Sequence, residues 1–154
     1  MTQTITRPAF KIIGIATETT NQDMQAMRDI GALWQRFSQE DIFQHIPSKQ
    51  NQDVYEVFTD YTGNFTAPYR TIIGCMVDMA AVAPEGMVEK IIPAQTYLVY
   101  LAKGKMPDAI GATWGQIWHD DAQLNRSYLA DFDVYGARAQ DATDAEVEVF
   151  VGVK

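Results

Sequence analysis

The residues with the most chemical potential stand in two short runs near the C-terminal end. In Asp131-Phe132-Asp133-Val134-Tyr135, an extended chain puts Asp131, Asp133 and Tyr135 on one face and Phe132 and Val134 on the other. In Glu146-Val147-Glu148-Val149-Phe150-Val151, Glu146, Glu148 and Phe150 alternate with valines in the same way. The runs are close in sequence, so they are expected to pair as a hairpin. Phe132, Val134 and the valines would then pack beneath a helix. Asp133, Glu148, Tyr135 and Phe150 would gather on the face away from it. Carboxylates among aromatic rings suit a bulky, lipophilic cation. Each ring face attracts it by about 0.5–2 kcal/mol, depending on desolvation, and the carboxylate neutralises its charge. The same alternation also fits a solvated strand face.

Glu56 is a second candidate acid. It sits between Val54 and Phe58 in what reads as the apolar face of a strand, and a buried carboxylate is costly unless paired. It is paired, it reaches a pocket, or the strand bulges there. Trp34 and Trp114 fall on the apolar stripes of two helices, where a tryptophan is either core or pocket wall. Other chemistries lack their residues. His45 and His119 have no cysteine partners at metal-ligand spacing. There is no glycine-rich phosphate loop and no nucleophile elbow. No basic recognition helix stands free for DNA.

A repeat must position these residues. Ile30-Gly31-Ala32-Leu33-Trp34 recurs as Ile110-Gly111-Ala112-Thr113-Trp114. Asp53-Val54-Tyr55 recurs as Asp133-Val134-Tyr135, and Lys11-Ile12-Ile13 as Lys90-Ile91-Ile92. Ile73-Gly74 is echoed by Val151-Gly152. These matches come in one order at offsets of 78 to 80, which argues for duplication. In the first unit, Phe10 to Glu18 reads as a strand. Met24, Met27, Ile30, Leu33, Trp34 and Phe37 form a helical stripe. Gln39 to Gln52 reads as a polar loop. Val54 to Tyr61 and Tyr69 to Val77 complete the unit as strands. The second unit repeats this, with a strand from Met87 to Ala102 broken near Pro93 and a helix along Ile110, Trp114, Ile117 and Trp118. Strands over Asp131 to Ala137 and Glu146 to Val153 follow.

The expected fold is therefore α+β: two βαββ units about a pseudo-twofold axis, in one domain over 1–154. The first repeat spans about 4–80 and the second about 86–154. A ligand groove is expected where the halves meet.

The chain has 154 residues with a net charge of −8, which argues against binding a phosphate backbone or anionic lipid. The single cysteine, Cys75, sits in an apolar run and reads as a buried, inert thiol. No secretory core and no run of membrane-span length is present, so the sequence reads as cytoplasmic.

Taken in order, the segments resemble the GyrI-like family, the effector-binding domains of AraC-type and other drug-responsive regulators. They resemble most the free-standing, integron-associated members. The resemblance is carried by Asp29-Ile30-Gly31-Ala32-Leu33-Trp34-Gln35-Arg36-Phe37, Val54-Tyr55 with Thr59-Asp60-Tyr61, Ile73-Gly74-Cys75-Met76-Val77 and Pro84-Glu85-Gly86-Met87. In the second half it is carried by Ile92-Pro93-Ala94-Gln95-Thr96-Tyr97, Thr113-Trp114-Gly115-Gln116-Ile117-Trp118 and the two runs described first, the second of them continuing to Lys154. It implies tandem SHS2-like units with a central groove that binds lipophilic, often cationic compounds through an acid and aromatics. The family's pocket glutamate falls on Asp133, and the acid and aromatic of the last strand fall on Glu148 and Phe150. Residues and resemblance together put the ligand-binding set at Asp133, Glu148, Tyr135, Phe150, Glu56, Tyr55, Trp114 and Trp34, with no catalytic residue, metal or cofactor. Hydrolysis by a groove carboxylate, or inhibition of DNA gyrase, is the alternative. A transcription regulator or gyrase as protein partner, and a homodimer, are compatible with this reading.

Overall fold

The computed structural model describes residues 3–154. Its strands are β1 (Gln3–Arg7), β2 (Phe10–Thr19), β3 (Val54–Thr59), β4 (Tyr69–Val77), β5 (Val88–Ile92), β6 (Gln95–Gly104), β7 (Ala130–Tyr135) and β8 (Ala145–Val153). The helices are α1 (Gln25–Gln39), α2 (Ile42–His45), α3 (Asp108–His119) and α4 (Asp121–Leu124). All the strands join one antiparallel sheet in the order β1-β6-β8-β7-β3-β4-β2-β5. The order reads symmetrically from both ends to a central seam between β7 and β3. At that seam Glu56 stands directly opposite Asp133.

Each half is a βαββ unit, β2-α1-β3-β4 or β6-α3-β7-β8, preceded by a short strand that crosses to the other half. β1 pairs with β6 and β5 with β2. The run from Met87 to Ala102 is therefore not one strand. Pro93, lacking an N–H, separates β5 from β6, just as Pro8 separates β1 from β2.

The duplication stands, but two of the matches that suggested it are out of register. Lys11 and Lys90 lie on β2 and β5, which are neighbours, not counterparts. At the seam the structural counterparts are Tyr55-Glu56-Val57-Phe58 and Phe132-Asp133-Val134-Tyr135, not the two Asp-Val-Tyr triplets.

Both long helices cover the same face of the sheet. On α1, Leu33 and Phe37 are buried against Ile13, Ile15, Ile73 and Cys75. On α3, Trp114 and Ile117 are buried against Val147, Val149 and Val151. Met24 and Met27, at the start of the stripe, stay 61% and 67% exposed, and the chain passes through left-handed conformations at Asp23 and Met24 before α1 begins. The loop after α1 is less polar than it reads. It forms α2 and buries Ile42 and Ile46 in the core beneath α1. Cys75 is fully buried, and burial pushes its thiol up to about 12.

Among the described residues no helix joins the core of the opposite face, which covers itself. The Phe10 ring on β2 meets the Phe132 ring on β7 at 5.3 Å, across two intervening strands. On a flat sheet those positions would be about 14 Å apart, at roughly 4.8 Å per strand. The sheet is thus strongly curled, and Phe10, Tyr55, Tyr97, Phe132 and Phe150 fill its inner side. Close approach elsewhere demands glycine: a Cβ on Gly14 would lie 2.0 Å from the Ile73 carbonyl oxygen on β4. No helix among the described residues is long and apolar enough to cross a membrane.

Candidate functional site

On the helix face, α1 and α3 leave a cavity of about 520 Å³ between them. Its floor is the seam, with Glu56 and Phe58 from β3 and Asp133 and Tyr135 from β7. Met27, Ile30 and Trp34 of α1 form one wall, and Ile110, Trp114 and Trp118 of α3 the other. Tyr61 and Phe65 close one end from the β3–β4 loop. That loop is tied to the β2–α1 junction: Asn21 Nδ2 donates to the Phe65 carbonyl at 2.8 Å, and Tyr69 Oη donates to Asn21 Oδ1 at 2.6 Å.

The floor is built twice from the same parts. Trp34 Nε1 donates to Glu56 Oε1 at 2.7 Å, and Trp114 Nε1 donates to Asp133 Oδ1 at 3.0 Å. Each indole also packs edge-on against the other half's aromatic. Trp34 meets Tyr135 at 5.0 Å, and Trp114 meets Phe58 at 5.2 Å. The tryptophans are therefore pocket walls that also orient an acid, a role their helical spacing does not reveal.

Glu56 is 5% exposed and Asp133 1%. Burial is the main force against ionising either. It pushes Glu56 up to about 7, against the pull of the Trp34 indole. Asp133 stands well above the usual carboxylate range, raised first by burial and then by Glu56. Burial and the two acids also push the Tyr135 phenol far up, so it stays neutral. Among the described residues that line the cavity the one cation, Arg126, is already balanced. It donates to Asp131 at 2.6 Å and to Asp121 at 3.3 Å, and Asp131 also accepts from Tyr61 Oη and the Gly152 N–H. Glu56 and Asp133 are thus the buried carboxyls on the cavity floor that have no ion-pair partner among the described residues.

A stability consequence follows. Glu56 ionises near the ordinary value of 4.5 in the unfolded chain but only near 7 in the fold. The fold holds that proton more tightly, so this contribution is complete below pH 4.5 and is lost as the pH rises through 7. Glu56→Gln keeps the acceptor for Trp34 and removes the charge. It is expected to be more stable than wild type at pH 8 by up to about 3 kcal/mol, and not at pH 4. Urea denaturation at the two pH values checks this.

Of the residues singled out from sequence, Asp133, Glu56, Tyr135, Trp34 and Trp114 come together in the cavity. Glu148, Phe150 and Tyr55 do not. Glu148 is opposite Val134, not Asp133, so alternation turns it to the other face, where it is exposed. Phe150 stacks on Phe132 at 4.6 Å inside the curled face, and Tyr55 packs there with them. The expected face was also the wrong one: Asp133 and Tyr135 lie under the helices. A one-residue difference in the assumed β7–β8 register produced both corrections. Phe58, Tyr61, Phe65, Trp118 and Arg126 were not singled out. Phe58 could have been found as the counterpart of Tyr135.

A family model described as Cass2, integron-associated effector binding protein, matches residues 4–153. YobU of Bacillus subtilis (strain 168), named as a candidate transcriptional regulator, is 24% identical over 148 residues, covering 94% of this chain and 92% of that protein. An integron cassette protein from the mobile metagenome of Vibrio cholerae superposes with a TM-score of 0.74 at 24% identity, over 99% of this chain and 95% of that one. SAV2435, solved bound to tetraphenylphosphonium, superposes with a TM-score of 0.82 at 19% identity, over 100% of this chain and 94% of that one.

Proposed function

The chain belongs to the integron-associated effector-binding family, and from that premise we propose that it binds lipophilic small-molecule cations in the cavity between α1 and α3. The observation that carries this is the pair of indole-held acids on the floor of an otherwise aromatic and aliphatic cavity. The volume of about 520 Å³ lies within the usual range for small-molecule sites. Apolar walls favour a large organic body over a hydrated metal ion or a sugar. Ring faces and carboxyls favour positive charge over negative. Arg126 does not oppose this, because Asp131 and Asp121 already neutralise it. That SAV2435 has the same fold and was solved with such a cation supports the reading.

A test should change the ligand's charge and nothing else. Tetraphenylphosphonium and tetraphenylborate have nearly the same shape and opposite sign. Trp34 and Trp114 line the cavity, so their fluorescence reports occupancy. The phosphonium is expected to bind at least about 100-fold more tightly, since burying an unpaired or opposed charge costs about 2–5 kcal/mol. Equal affinities would reduce the site to a greasy hole and remove the carboxyls from the explanation.

A further inference from the structure

Glu56 and Asp133 are directly opposed on adjacent strands, in the innermost pair of the whole sheet. Residues so placed have Cβ atoms about 4.5–5.5 Å apart. Their other strand neighbours are apolar: Ile73 stands opposite Glu56 and Val149 opposite Asp133. Each acid accepts one indole N–H, and among the described residues no cation forms an ion pair with either of them. Two full negative charges this close in an apolar cavity repel strongly, whereas one proton held between them removes the conflict.

We propose that Glu56 and Asp133 form a proton-exchanging pair: in the empty cavity they retain a proton, and a lipophilic monocation displaces it to solvent on binding. This rests on the cation-binding reading above and adds a stoichiometry to it. The cavity would adjust its own charge. A cation takes the proton's place, whereas a neutral ligand leaves the proton where it is.

The other titratable and charged groups around the pair do not compete for this role. Tyr69 of β4, Tyr135 of β7 and Tyr61 of the β3–β4 loop are all pushed upward by burial and stay neutral. Asp131 of β7 is paired with Arg126 of the α4–β7 connection. Asp108, at the start of α3, lines the cavity but is exposed. From α1 and α3 only the neutral indoles of Trp34 and Trp114 reach the carboxyls. Both acids are held above the ordinary carboxylate range, Glu56 at about 7, which agrees with a proton retained near neutral pH.

Calorimetric titration with tetraphenylphosphonium tests this, because that cation does not titrate and any pH effect belongs to the protein. Runs in phosphate and in Bis-Tris, which both buffer near neutral pH and whose ionisation heats differ, give the number of protons released. The expected release is close to one at pH 6 and about half near pH 7, where Glu56 is half ionised. Affinity should rise roughly tenfold per pH unit between pH 5 and 6.5 and level off above about pH 8. Binding with buffer-independent heats and flat affinity over that range would overturn the exchange while leaving the cation site intact. No binding at any pH would remove the proposed function and this inference with it. In Glu56→Gln/Asp133→Asn the residual binding should carry no proton release, and release persisting there would assign it to another group and overturn the proposal. Glu148→Gln, exposed on the other face, should behave as wild type.

Discussion

Arg126→Met is expected to destabilise the protein by about 3–5 kcal/mol, the cost of leaving a buried carboxylate without its cation. Arg126 is 4% exposed and Asp131 is 0% exposed. Burial acts against the Arg126 charge, but Asp131 and the neighbouring Tyr61 and Tyr128 outweigh it and hold the guanidinium charged. For Asp131, burial pushes the carboxyl up, and Arg126, the Tyr61 hydroxyl and the Gly152 N–H pull it back. Removing Arg126 deletes the strongest of those restraints, so Asp131 should take up a proton. Its folded value then rises further above its unfolded one. The damage should therefore be smaller at pH 5 than at pH 8, because stability linked to a raised carboxyl is present at low pH and lost as pH rises. Asp131 also serves Tyr61 and Gly152, so an apolar residue at both ends of the pair would leave those donors orphaned and should not restore stability. Urea denaturation of Arg126→Met at the two pH values, beside wild type, measures the effect. A loss under about 1 kcal/mol would mean that water reaches the pair and screens it like a surface bridge.

The contrast between this pair and the two seam acids shows what a sequence can disclose. Alternation along Asp131 to Tyr135 identifies Asp131, Asp133 and Tyr135 as one face, and they are one face. It does not say that Asp131 will be neutralised by Arg126 five residues earlier, because that depends on how α4 and the following turn return to the sheet. Nor does it say which side the helices cover. The hairpin assumption put Glu148 beside Asp133. A single-residue difference in β7–β8 register sends Glu148 to solvent and Phe150 into the curled face. The repeat was legible on the helices, where Ile30-Gly31-Ala32 and Ile110-Gly111-Ala112 precede tryptophans with the same task. It was misread on the strands, where identical triplets drew attention from the weaker but structural match of Tyr-Glu-Val-Phe with Phe-Asp-Val-Tyr. Similar residues in the true register line the cavity floor; identical ones out of register were coincidence. The exchange of β1 and β5 between halves was hidden because each is short and is set off only by a proline. The curl of the sheet was hidden because it emerges from aromatic contacts across several strands.

Glu56→Gln combined with Asp133→Asn is expected to weaken tetraphenylphosphonium binding at pH 7.5 by about 2–5 kcal/mol, the cost of burying a cation with no counter-charge. Each single change should cost less than half of that. The reason is the shared position at the seam: with one acid made an amide, the other still lies opposite it, still held by its indole. The remaining acid also ionises more readily once its neighbour can no longer be charged. It can then balance a monocation alone, at some loss of fit. Only the double change empties the floor of charge, so the two effects should be more than additive, as expected for groups in direct contact. Both amides preserve the acceptor for the indole, and removing buried charge should leave the free protein folded, so lost affinity cannot be blamed on lost structure. Titration of the four forms with the same cation gives the coupling energy directly. If Asp133→Asn alone matches the double change and Glu56→Gln binds like the parent, then one acid does the work. The symmetry of the floor would then be architectural, a relic of duplication without a shared function.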